Sequence, residues 1–376
     1  MRARPDGARR AATLVMLVVA VALFSASIAT AATPSRKKAM WGPTQVNGQS
    51  QFPIYRDLGV GIYQHSLSWR DVAVTRPAHP RDPNDPAYHW PDDVNFAVSE
   101  ASHYRMRVML TIVFTPVWAR HEGAPNLPPD RLADFADFAE AAARRYPSVL
   151  LWMVWGEPNR IPNYYLDKET PQQAQGKDPF TPRQRAQVSD YAVLLDQTYG
   201  RLKRLNRRNL IIGGNTFTGG DISAGSWIKH LKLPNGKPPR MDLYGHNPFS
   251  TRMPDLAKNE LAAGTADFSD LDLLAKWLDR YLARDGRNRH LPIFISEFTA
   301  PTDVESYEFN FHVTRAVQAK WLRAGLRIAR RWSRIYTFGW IGLRDLPPDS
   351  MGRESRTGLI DVAGVRKPAY YAYKRG

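Results

Sequence analysis

Two glutamates stand where apolar runs end: Glu157 in Leu151-Trp152-Met153-Val154-Trp155-Gly156-Glu157-Pro158-Asn159, and Glu297 in Pro292-Ile293-Phe294-Ile295-Ser296-Glu297-Phe298-Thr299. A carboxylate that closes an apolar strand is costly to desolvate unless it is paired or used, so each is a candidate for chemistry. Glycosidic bond cleavage needs two such groups on either side of the scissile bond, one protonated to assist the leaving oxygen and one ionised to attack carbon or activate water. Carboxyls about 5 to 5.5 Å apart would give retention through a covalent glycosyl-enzyme. Trp152 and Trp155 are expected to disfavour the charged form of Glu157 by desolvation, which suits Glu157 to the acid/base role and leaves Glu297 as nucleophile.

These side chains meet only if their strands do. Short apolar runs recur at Ala39 to Val46, Val60 to Trp69, Arg107 to Thr115, Val149 to Trp155, Leu210 to Phe217, Met241 to His246, Leu291 to Phe298 and Ile335 to Leu343. Near-continuous Val, Ile, Leu and Met content, as in Val108 to Phe114, is what a strand covered by helices on both faces requires. Between the runs the period turns helical: Leu132, Phe135, Phe138, Ala142 and Tyr146 form one stripe, and Leu274, Trp277, Leu278, Tyr281 and Leu282 another. Asp130 and Asp270 stand where N-caps or first-turn acids belong. Eight alternating strand and helix repeats predict an α/β fold, a single-domain (β/α)8 TIM barrel over residues 39–376. A doubly wound nucleotide fold is disfavoured, because Gly213-Gly214 and Gly219-Gly220 lack the GxGxxG spacing. The Asn163 to Thr181 segment reads as a long loop after the fourth strand. In such a barrel chemistry sits at the carboxyl ends of the strands, and ends four and seven can converge across the mouth.

With these motifs in place, the chain resembles the retaining β-glycosidases of glycoside hydrolase clan A, most closely the divergent barrels grouped around families 5 and 39. Trp155-Gly156-Glu157-Pro158-Asn159 is similar to the acid/base motif, and Ser296-Glu297-Phe298 to the nucleophile motif. Trp340 falls on the last strand, where clan members place a tryptophan beneath the bound sugar. Weaker matches are Ser68-Trp69, Thr115-Pro116-Val117-Trp118-Ala119, His246-Asn247-Pro248-Phe249, Thr357 to Asp361 and Lys367 to Tyr371, and the whole spans about Trp41 to Tyr373. The resemblance implies double-displacement hydrolysis of a β-linked oligo- or polysaccharide. It breaks at two positions: Gly156 replaces the asparagine that precedes the acid/base, and Phe249 replaces a tyrosine near the nucleophile. Asn159, Asn215 and Asn247 are candidate replacements for the lost hydrogen bonds. The two departures keep a second reading open, a catalytically weak or silent barrel that binds glycan.

Around the pair, Trp340, Trp118, Trp69 and Trp41 sit at strand ends where indole faces stack on sugars or simply pack, and Trp340 is the one favoured for substrate. His246 either orients a glutamate or serves as a structural hydrogen-bonding residue. Arg70, Arg344 and Asp345 follow strand ends, where they bind substrate hydroxyls or an anionic sugar or form rim salt bridges, and rim salt bridges are the favoured expectation. No metal or other cofactor is expected, since no short ligand spacing such as HExxH occurs. Ser296 lacks the GxSxG elbow and a recognisable triad, which excludes a serine hydrolase.

The 376 residues, 43% of them hydrophobic, suffice for a large core, and with no cysteine that core must provide the stability. The chain opens on a basic stretch, MRARPDGARR, followed by an apolar run from Ala11 to Ala29 and the small-x-small site Ala29-Thr30-Ala31. Residues 1–32 are therefore expected to be an export signal, or failing cleavage an anchor, with the mature protein secreted or at the cell surface. The formal charge of +16 invites an acidic partner. Its densest runs, Arg201 to Arg208 and Arg323 to Arg334, fall in helical patterns and are expected to coat solvated faces. No nucleic-acid motif accompanies them, so the expected partner is carbohydrate, with no nucleic acid and no membrane beyond the export segment.

Overall fold

The computed structural model describes residues 35–376 except 121–122, 258–260, 284–285 and 287, so the expected export segment lies outside the described residues. Eight strands form a closed, wholly parallel barrel: β1 (Ser35–Trp41), β2 (Val60–Ser68), β3 (Arg107–Val113), β4 (Leu151–Val154), β5 (Leu210–Phe217), β6 (Leu243–Asn247), β7 (Ile293–Ile295) and β8 (Ile335–Ile341). Each strand pairs with its sequence neighbour, and β1 closes the ring on β8 with Lys38 opposite Phe338 and Trp41 opposite Ile341.

Strand periodicity divides the side chains between two cores. Ala39, Ile62, Met109, Leu151, Met153, Ile212, Leu243 and Phe294 fill the barrel interior, with Tyr336 packed against them. Residues of the opposite parity, such as Trp152, Val154, Leu110 and Ile211, belong to the larger core shared with the surrounding helices. The expected stripes form helices at Ala133–Arg145 and Leu271–Tyr281.

Local expectations need correction at two places. The first strand begins at Ser35 and ends at Trp41, earlier than Ala39 to Val46, and Gln45–Val46 pairs with Gln49–Ser50 in a small antiparallel hairpin. The basic start Ser35-Arg36-Lys37-Lys38 does not look like a buried strand, yet the Lys38 amine is buried and donates to the carbonyls of Leu58 (3.1 Å), Tyr373 (2.7 Å) and Lys374 (3.2 Å). Burial lowers its pKa to about 8. Of the two expected caps, Asp270 holds its position and Asp130 does not. Leu132, not Asp130, holds the N-cap of Ala133–Arg145, and Asp270 caps Leu271–Tyr281 without a side-chain bond. Asp267 caps the preceding turn instead, and both aspartates face Arg252 at 2.7 and 3.0 Å, because a guanidinium attracts a carboxylate more strongly than a backbone N–H does.

The loop after β8 is fastened by an ion pair with no exposure on either side chain, Lys367 to Asp345 at 2.7 Å, with the Lys367 amine also 2.8 Å from Thr302 Oγ1. Asp345 thus takes the salt-bridge role expected of it, facing inward rather than at the rim. Removing one partner strands a buried charge, so Lys367→Met should cost about 3–5 kcal/mol in chemical denaturation, whereas Lys367→Met with Asp345→Leu should recover most of that loss.

Candidate active site

The ends of β3, β4 and β5 leave the barrel through left-handed backbone at non-glycine residues: Phe114 (φ 65°), Trp155 (φ 66°), Glu157 (φ 45°) and Asn215 (φ 47°). Such conformations persist where surrounding contacts over-determine them, and they cluster here at one rim. Glu157 sits two residues beyond Trp155, buried, with three donors on its carboxylate: Arg160 at 2.7 Å and Asn163 at 3.0 Å on Oε2, and Asn247 from the end of β6 at 2.9 Å on Oε1.

Glu297 follows β7 and is held from below. Trp41 Nε1 donates to Ser296 Oγ (3.3 Å), Ser296 Oγ donates to Gln64 Oε1 (3.2 Å), and Gln64 Nε2 donates back to the Ser296 carbonyl (2.9 Å). These bonds link β1, β2 and β7 directly beneath the carboxyl. Burial first, then the charges of Glu157 and Glu308, push the Glu297 pKa up to about 8, against a smaller opposing pull from Arg160. At neutral pH Glu297 is therefore protonated.

Glu308, from the long segment after β7, is the third carboxyl at this rim. Burial raises its pKa, Arg160 lowers it and Glu157 raises it again. Arg160 thus faces a group of carboxyls, and its guanidinium also lies 4.5 Å from the Phe217 ring centre. Phe217, Phe249 and Phe309 continue as a column, with ring centres 5.6 and 4.9 Å apart. Phe249, the residue standing in place of a tyrosine, is a member of that column.

Of the expected site residues, the fold gathers Glu157, Glu297 and Asn247. It does not gather the others. Asn159 spends its amide on the Phe217 and Ile222 carbonyls and accepts from Phe217 N, stapling the loop. His246 is wholly buried between Thr216 Oγ1 (2.8 Å) and the Ala266 carbonyl (2.7 Å), and burial lowers its pKa to about 4, so it is neutral and touches neither glutamate. Trp340 has no exposed surface. It packs on Phe298 and Phe338 and donates to the Thr357 carbonyl, so no free ring face awaits a sugar. Trp69 is 1% exposed and stacked on Phe138, and Trp118 lies edge-on to Trp69 with Arg76 4.5 Å over its ring. Trp340 and Trp69 are packed into the core, whereas Trp118 is half-buried and lines a cavity with Arg76, Arg120 and Arg131, away from both glutamates.

The expected desolvation of Glu157 by tryptophan also fails, because Trp152 lies in the helix-facing core and Trp155 packs on Phe135 and Tyr164. Arg70 pairs with Asp71 at the rim as expected, while Arg344 donates to Gln51. Asn215 is 3% exposed and its Oδ1 finds no partner among the described residues, as is true of Asn247 Oδ1. Sequence reasoning missed Arg160, Asn163 and Glu308. The first two follow Glu157 by three and six positions, a spacing a search of the loop could have tested, whereas Glu308 lies in a segment with no distinguishing pattern.

A cavity of about 590 Å³ opens beside the pair, lined by Trp41, Glu308, Phe309, Leu343, Arg344 and Thr357 among others. Its volume is in the range of small-ligand sites. Glu157 and Glu297 do not line it, but Trp41 ties it to Ser296 and Glu308 acts on both catalytic candidates. Among the described residues no group of three or more metal-ligating side chains is arranged to hold an ion.

No family model matches the sequence and no curated protein matches it significantly. Solved structures do share the fold. A family 39 glycoside hydrolase from Bacteroides cellulosilyticus WH2 superposes with a TM-score of 0.63 at 17% identity, covering 91% of this chain and 63% of that one. A glucosidase from Croceicoccus marinus gives 0.61 at 15% identity, covering 89% and 64%. A monomeric β-xylosidase from Caulobacter crescentus CB15 gives 0.57 at 16% identity, covering 92% and 69%. The chain spans less than two thirds of the first two, and at these identities the likeness establishes the closed (β/α)8 barrel fold.

The order of the causes acting on Glu297 makes a direct expectation. Glu157→Gln should lower the Glu297 pKa below about 8, Glu308→Gln should lower it less, and Arg160→Met should raise it. Carbon-13 NMR titration of the glutamate carboxyls measures all three, and an unchanged Glu297 in Glu157→Gln would show that the two groups do not interact.

Proposed function

We propose that this barrel is a retaining glycoside hydrolase acting on a β-linked oligo- or polysaccharide outside the cytoplasm, with Glu157 as acid/base and Glu297 as nucleophile. The observation that carries this reading is the pair of interacting glutamates beyond the ends of β4 and β7, with the Glu297 pKa raised to about 8 by burial and by the charge of Glu157. Double displacement needs one protonated and one ionised carboxyl. Glu157 gives its proton to the leaving oxygen while the Glu297 carboxylate attacks the anomeric carbon. Glu157 then takes a proton from water, whose oxygen attacks the same carbon and releases Glu297. In the resting arrangement the proton lies on Glu297 and Arg160 occupies Glu157, so substrate binding has to loosen the Arg160 contact and move the proton to Glu157 before attack.

The ion pair between Arg160 and Glu157 favours the second reading, a silent glycan-binding barrel, because a guanidinium 2.7 Å from the Glu157 carboxylate already occupies it. The two readings part in an assay on aryl β-glycosides and a glycan panel. For the hydrolase, Glu157→Ala and Glu297→Ala each lower kcat by about 10²–10⁴ or more. Its kcat/KM falls as pH rises through about 8, where the pair loses the proton the leaving group needs. Glycan binding with no turnover in wild type or either variant would leave only the silent barrel.

Gly156 bears on the same question. A Cβ there meets Val113 Cγ1 at 3.7 Å and Thr111 Cγ2 at 3.9 Å, ordinary contact distances. Gly156→Asn should therefore change stability by less than about 1 kcal/mol. By returning an amide beside Glu157 it should raise kcat, and a fall in kcat with unaltered folding would show that the glycine is itself required.

A further inference from the structure

We propose that the pole of the barrel opposite the catalytic mouth docks on a bilayer carrying anionic lipid headgroups. The helix Arg315–Arg331 descends to the start of β8, and Arg323, Arg327, Arg330 and Arg331 recur along it at the i, i+4, i+7, i+8 spacing of one face. The helix Pro368–Arg375 ends beside it with Arg375, and these five arginines, all exposed, surround a groove of about 400 Å³ floored by Leu326 and Ala372. None of the five makes an ion pair among the described residues. This contrasts with the other basic run, where Arg201 meets Asp137 at 2.8 Å and Lys203 meets Asp242 at 2.9 Å.

Like charges one helical turn apart repel, so an unpaired stripe of this kind lowers stability unless a polyanion covers it. Its position names the polyanion. The charge of Arg330 reaches Lys38 on β1, whose amine contacts the carbonyls of Tyr373 and Lys374, so the stripe flanks the point where the chain enters the barrel. Exposed Arg36 lies at that same point, 5.8 Å from the Tyr336 ring centre. Only residues 30–34 separate Ser35 from the apolar run that ends at Ala29. A link that short reaches at most about 20 Å when extended. Retained as an anchor, the apolar run holds a bilayer within that distance of Ser35, on the pole that carries the arginines, and basic residues near a membrane surface bind acidic headgroups with an affinity that salt weakens. Docked in this way, the barrel turns the ends of β4 and β7 away from the membrane, toward polymer in solution.

The test is co-sedimentation of the full chain with vesicles of phosphatidylcholine alone or of phosphatidylglycerol, at low and high salt. Wild type and Arg323→Ser/Arg327→Ser/Arg331→Ser/Arg375→Ser are compared, with thermal melting as the check on folding. Both proteins keep the N-terminal apolar run and its basic residues, so the difference between them reports the pole. Wild type should prefer phosphatidylglycerol by about tenfold or more at low salt and lose the preference at high salt, and the variant should lack it. A folded variant with the wild-type preference, or a wild type with none, overturns the proposal. So does four-arginine-dependent binding to heparin without any vesicle preference, which would make the occupant a polyanionic polymer. None of these outcomes depends on whether the barrel hydrolyses glycans.

Discussion

One guanidinium set among three carboxyls organises the mouth of this barrel. Arg160 contacts Glu157 directly and its charge reaches Glu297 and Glu308, of which Glu157 is buried and Glu308 exposed. Burial and the neighbouring carboxyls of Glu157 and Glu308 together raise the Glu297 pKa to about 8, against the pull of Arg160. The protonation of Glu297 is thus set by its surroundings before any substrate arrives.

The rest of the fold keeps those charges in register. The barrel floor is filled by side chains from every strand, and Arg107 reaches across it to the Tyr336 hydroxyl at 2.5 Å. Above it the Trp41, Ser296 and Gln64 bonds position Glu297, while Asn247 and Asn163 position Glu157. The left-handed residues at the ends of β3, β4 and β5 are strained only in a lone peptide; here packing on both faces of the sheet holds them. Phe249, Phe217 and Phe309 link the ring over Arg160 to the loop that carries Glu308, so the two departures from the clan pattern differ in kind. Phe249 has a packing role, and the Cβ position at Gly156 meets no close contact.

Parallel topology also separates the two charged regions. All strands end at one pole and all following helices return to the other, so residues in last turns collect opposite the chemistry. Glu157 and Glu297 lie above the strand ends, and arginines without an ion pair among the described residues line the helix Arg315–Arg331 and the end of the final helix. A net charge of +16 spread along a sequence says nothing of that division.

The eight strands were legible because apolar runs and helical stripes alternate, and both periods follow from local backbone geometry. Glu157 and Glu297 were legible for a related reason, since a carboxylate closing an apolar run is anomalous wherever the strand lies. Even so, the basic residues Arg36 to Lys38 concealed the true start of β1, because only the carbonyls of Leu58, Tyr373 and Lys374 make burial of the Lys38 amine tolerable. The partners of each residue were decided by tertiary structure alone. Trp340, Trp69 and His246 look like site residues by position, yet which way a side chain at a strand end turns depends on elements far away in sequence. Arg160 and Glu308 act on the pair because barrel closure sets their loops side by side, and their charges depend on distances that no spacing along the chain encodes.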